Sequence, residues 1–217
     1  MKKSAWMLAV VLTFCSLVMA QADQKKTVTS VIDATVKTIE SELVPAVEAM
    51  PEDKFGFAPT NGEFKGVRTF AQQAKHVAAV NYIVAAGILG EKPPVDTGGE
   101  SGPDSVKTKA DIVKFLKDSY AYAHKAVATI NAGNAVEPIK NPFGEGTATR
   151  LGMGTVFAWH GFDHYGQMVE YLRMNGIVPP ASRGKLAAGS QNPYGVILSE
   201  AKDLYILVAS SRTPKSS

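Results

Sequence analysis

Cysteine is almost absent: among 217 residues the single one is Cys15. It lies in a segment expected to be removed, which leaves a mature chain with no disulfide, no thiol nucleophile and no thiolate ligand. Any metal must therefore sit on nitrogen and oxygen. An excess of one charge is also missing. The chain has 23 basic and 20 acidic residues, and setting aside Lys2 and Lys3 leaves 21 against 20. No block of five or six like charges occurs. A nucleic-acid surface needs a concentrated basic patch, so no nucleic-acid partner is expected. Neither a repeat of fixed period nor a competing strand pattern is visible.

The first twenty residues have the three parts of a secretory signal. Lys2 and Lys3 form a charged start, Trp6 to Met19 is almost wholly apolar, and Val18-Met19-Ala20 places small residues at −3 and −1. The apolar run is shorter than the roughly 20 residues of a spanning helix, and polar Gln21 to Gln24 follows at once. Cleavage after Ala20 is expected, giving a secreted or periplasmic protein with no membrane attachment. Phe14 is too bulky for the position before a lipidated cysteine.

With 45% hydrophobic residues the chain can bury one core. Four segments have helical periodicity. The first, about Thr27 to Met50, steps through Val28, Ile32, Val36, Ile39, Leu43 and Val47, with Pro45 predicting a kink or an early end. The second, about Lys65 to Leu89, has the clearest seam: Phe70, Ala74, Val77, Asn81, Val84 and Ile88, closed by Gly90. Thr108 with Asp111 marks the start of the third, whose apolar face includes Ile112, Leu116, Ala123, Val127 and Ile130. The fourth runs from about Thr147 to Asn175, stopped by Gly176 and Pro179-Pro180. Phe55 and Phe57 are expected to pack under these helices. Glu91 to Lys107 is long for a loop in a compact domain, and such loops are often functional or disordered. The expectation is an all-α four-helix bundle over residues 21–182, preceded by a signal at 1–20 and followed by a tail at 183–217 with an apolar patch at Leu204 to Val208.

Four histidines are present. His160 and His164, four apart, fall one turn apart on one helix face, where two ring nitrogens can share an ion at about 2.0–2.1 Å. The spacing alone fits equally well a pair of partly exposed helix histidines. In zinc proteases with this spacing a glutamate follows the first histidine. Here Gly161 stands there, so the base that would activate water for peptide cleavage is missing.

The run from His160 through Gly161-Phe162-Asp163-His164-Tyr165-Gly166-Gln167, continuing to Tyr171-Leu172-Arg173, Gly176 and Pro179-Pro180, resembles the last helix of the DinB-like family. Val67 to Ala78 is similar to the family segment that carries a first histidine. These proteins are metal-binding four-helix bundles, and the resemblance covers roughly residues 27–182. It implies a three-nitrogen site for a divalent ion, zinc or nickel, on His76, His160 and His164. Asp163 and Gln167, each three residues past a histidine, are candidates to accept the outward N–H of a ligand. His124 has no partner motif and reads as an ordinary hydrogen-bonded histidine. Arg173 reads as a helix C-terminal cation and Trp159 as a core residue.

The family includes thiol-dependent transferases and isomerases, which implies metal-dependent transfer on an unidentified small-molecule substrate. Export weighs against a thiol cosubstrate, since the usual thiol cofactors stay inside the cell, and a hydrolase or lyase is the next reading. The alternative is a non-catalytic, exported metal- or ligand-binding bundle. Homodimer formation through helix faces is compatible with either, though no residue requires it.

Overall fold

The computed structural model describes residues 26–187. The expected signal at 1–20 and the Leu204 to Val208 patch lie outside the described residues. The architecture is largely helical: α1 (Val28–Ala49), α2 (Phe70–Leu89), α3 (Lys109–Val127), α4 (Arg150–Met174) and the short α5 (Pro180–Ala187), with a small hairpin of β1 (Pro138–Lys140) and β2 (Thr147–Thr149). Both α1 and α2 pack against α3 and α4, which closes a ring of four long helices around a shared core. No described helix is long and apolar enough to cross a membrane.

Local chemistry sets the helix starts. Thr27, Thr69 and Thr108 each accept the N3 amide while the N3 side chain accepts the cap amide, so each box satisfies two otherwise unpaired donors. The box at Thr69 and Gln72 explains why α2 begins at Phe70 rather than near Lys65. The preceding loop reinforces it: Phe70 and Ala71 amides donate to the carbonyls of Phe57 and Phe55 at 2.9 Å each. The same two aromatic rings pack under the helices, Phe55 edge-on to Phe70 and Phe57 edge-on to Tyr171. At the other end of α2, Gly90 takes φ +71°, a left-handed conformation that suits glycine, and the Glu91 amide closes on Ala86 O.

The α2 seam is buried throughout, because this helix touches both α3 and α4. Pro45 does not end α1, which continues to Ala49 and stops just before Pro51. Ile130, expected on α3, lies past its end but is still fully buried. The hairpin was not foreseen. Its strands have three residues each, too few for an alternation to be read, and β2 occupies the residues expected to begin the fourth helix. That helix starts instead at Arg150, capped by Thr149. Beyond Gly176 (φ +73°), Pro180 opens α5, which packs on α1 and crosses the expected start of the tail at residue 183.

Candidate metal centre

One helical turn separates His160 from His164 on α4, so both project from one face toward α2, where His76 faces them. The His160 Nε2 atom lies 3.1 Å from Nε2 of His76 and 3.1 Å from Nε2 of His164. One ligating atom from each ring falls within 4.8 Å of the others, a group that can hold a metal ion.

The opposite ring nitrogens decide the tautomers. His76 Nδ1 lies 2.5 Å from the Glu100 carbonyl, which can only accept, so Nδ1 carries the proton. His164 Nδ1 lies 2.5 Å from Gln73 Oε1. The Gln73 amide orientation follows from its other end, where Nε2 donates to Gln167 Oε1 at 2.8 Å. Gln167 Nε2 in turn donates to Asp163 Oδ2 at 3.1 Å. A directed chain thus runs from an exposed carboxylate through two amides to His164. Both His76 and His164 therefore turn unprotonated Nε2 lone pairs toward His160. His160 Nδ1 is buried without a partner.

Lone pairs this close repel one another, and one His160 N–H can satisfy only one of them. A cation at the centre satisfies all three. Three nitrogens at about 2.05 Å from one ion at tetrahedral angles stand about 3.3 Å apart, within a few tenths of an ångström of the two 3.1 Å separations. The residues fit a divalent ion.

Electrostatics prepares the same state. Burial lowers the pKa of all three imidazoles, and their mutual repulsion and the positive charge of Arg68 lower His160 and His164 further, to about 3 and about 4. His76 is lowered by burial and by Arg68, against the opposing pull of the Glu100 carbonyl and carboxylate. All three are neutral near pH 7, the form that donates to a metal.

Asp163 and Gln167 approach the site, but neither touches a histidine; they act through Gln73, which the sequence reading missed. Gln73 precedes His76 by one turn on α2 and is buried, so the signal was a polar residue on a histidine's own face. Gly161 has a packing cause: a Cβ there would lie 2.7 Å from Ile39 Cγ1 and 3.5 Å from the Tyr120 hydroxyl. That position faces α1, leaving no room for a glutamate side chain.

Trp159 is not a core residue. It is 59% exposed, with its ring edge-on to His160 at 6.0 Å, because its place on α4 is turned outward from the packed face. His124 is remote from the cluster and bridges α3 to α1, with Nδ1 2.6 Å from Asp33 and Nε2 3.0 Å from Glu40. Arg173 lies in the last turn of α4 and reaches Ser182 Oγ at 3.4 Å.

A family model described as the DinB superfamily matches residues 36–168, from the interior of α1 into α4 and across all three histidines. The chain belongs to the DinB superfamily. No curated protein matches it. In this DinB chain the match ends inside α4, so α5 and everything beyond lie outside the matched region.

Proposed function

We propose that this protein is an exported DinB four-helix bundle that holds one divalent metal, zinc or nickel, on His76, His160 and His164 and uses it on a small molecule. The convergence of three neutral Nε2 donors, two with their outward protons already held, carries the reading. When bound, such an ion supplies a Lewis acid with at least one position open to water or another ligand. The chain's own residues position the site: Glu100 O and Gln73 lock two rings, and Gly161 lets α4 sit close to α1. Half-buried His160, beside exposed Trp159, gives the centre a side toward solvent. With no side chain at position 161 and Asp163 engaged by Gln167, no carboxylate among the described residues hydrogen-bonds the three histidines. Transfer or hydrolysis on a metal-activated group is favoured over peptide cleavage.

Export rests on Lys2-Lys3, the apolar Trp6 to Met19 run and Ala20. A second reading, non-catalytic metal binding, draws support from the two described cavities, neither of which is lined by a histidine. The test is metal content by mass spectrometry on untagged residues 21–217. About one zinc or nickel per chain, lost in His164→Ala and in His160→Ala, is expected. A chain that takes up neither ion when supplied with them ends the reading.

A further inference from the structure

Beside the histidine cluster lies a cavity of about 540 Å³, bounded by the chain just before α2, the first turns of α2, the loop at 101–104 and α4. It shares a wall with the cluster, since Gln73 lines it and also accepts from His164. Two cations, Arg68 and Lys75, and one acid, Asp104, line it. Among the described residues none of these three forms an ion pair within 4.0 Å. The loop wall is held tightly: Gly102, at φ +77°, leaves no space for a Cβ, which would meet Lys75 Cβ at 2.8 Å. The Arg68 carbonyl accepts from the Tyr171 hydroxyl at 3.2 Å, fixing the arginine's backbone at the rim.

Among the described residues no carboxylate hydrogen-bonds a cluster histidine: Glu100 meets His76 through its backbone carbonyl, and Asp163 accepts from Gln167. With Arg68 and Lys75 against Asp104, the cavity wall has a net single positive charge.

We infer that this cavity binds the carboxylate of a monoanionic small molecule whose other end reaches the metal, and that Arg68 selects for that carboxylate. The inference rests on the metal-binding reading above. A carboxylate matches the planar guanidinium fork, and a monoanion matches the net charge of the wall, whereas a dianionic phosphate would exceed it.

The test uses two thiols of similar length and opposite tails, 3-mercaptopropionate and cysteamine, titrated into cobalt-loaded residues 21–217. Thiolate-to-cobalt absorbance is the readout. Wild-type protein is expected to prefer 3-mercaptopropionate by about tenfold, the size of one charge-assisted hydrogen bond in a confined site. Arg68→Gln abolishes the preference while leaving cobalt stoichiometry intact, Arg68→Lys keeps part of it, and added salt shrinks it. Equal affinities, a preference that survives Arg68→Gln, or failure of both thiols to bind the cobalt-loaded chain overturns the inference. Failure to take up cobalt shows before any thiol is added. It removes the metal reading, and this inference with it.

Discussion

Gln73 offers the sharpest test of how the centre is held. In Gln73→Ala, the His164 Nδ1–H loses an acceptor at 2.5 Å in a buried setting, and the Gln167–Asp163 pair loses the amide it orients. His164 then either keeps an unsatisfied N–H or changes tautomer, which protonates Nε2 and removes it as a donor. Loss of such a supporting partner typically weakens metal binding by about 10–100-fold, or about 1.4–2.7 kcal/mol. The chain's direction predicts a graded series. Gln167→Ala leaves the acceptor in place but frees its amide and costs less; Asp163→Asn, three hydrogen bonds from His164, costs least. Gln73→Glu restores an acceptor with a full charge and keeps or strengthens affinity. Competition against a chromogenic chelator at pH 7 measures each variant, with circular dichroism as the check on folding. Equal effects at Gln73 and Asp163 in folded protein, or Gln73→Ala within twofold of wild type, refute the relay.

Acid is expected to destabilise the metal-free protein. An unfolded histidine takes up its proton near pH 6.5, whereas folded His160 and His164 do so only near pH 3 and 4. Between these limits the unfolded chain binds more protons, so urea midpoints measured with a chelator fall as pH drops below about 6.5. That slope flattens in His160→Gln, and an unchanged slope in the variant assigns it to other groups. Gly161→Ala drives a methyl to 2.7 Å from Ile39 Cγ1 and is expected to cost about 1–3 kcal/mol by chemical denaturation. A neutral result would mean that α1 and α4 are less closely packed than described. Trp159 is the only tryptophan of residues 21–217, and its ring lies 6.0 Å from His160. Nickel should therefore quench the fluorescence of residues 21–217 in wild type but not in His160→Ala. Quenching that persists in that variant would place the ion elsewhere.

The helices were legible because their information is local. A step of three or four residues places Phe70, Ala74, Val77, Asn81, Val84 and Ile88 on one stripe whatever else the chain does, and all six are buried. Thr108 and Asp111 cap α3 through a spacing of three, and His160 and His164 share a face through a spacing of four. Periodicity could not link His76 to them; the family resemblance named it, because no local period spans the 84 residues separating it from His160. The three-residue strands of the hairpin were too short to show an alternation. Trp159 was misjudged because an aromatic beside a histidine suggests a core, while its angle on α4 turns it outward.

The sequence alone therefore determined the helical class and the residues one turn apart on each helix, since both follow from the backbone's own repeat. Only the tertiary structure decided the partners that cross between elements. Gln73 meets His164 from a different helix, the Glu100 carbonyl meets His76 from a loop, and Ile39 excludes a side chain at Gly161. A backbone carbonyl has no residue identity to read, and contact between helices depends on how they pack, so none of these three contacts is written in any local pattern.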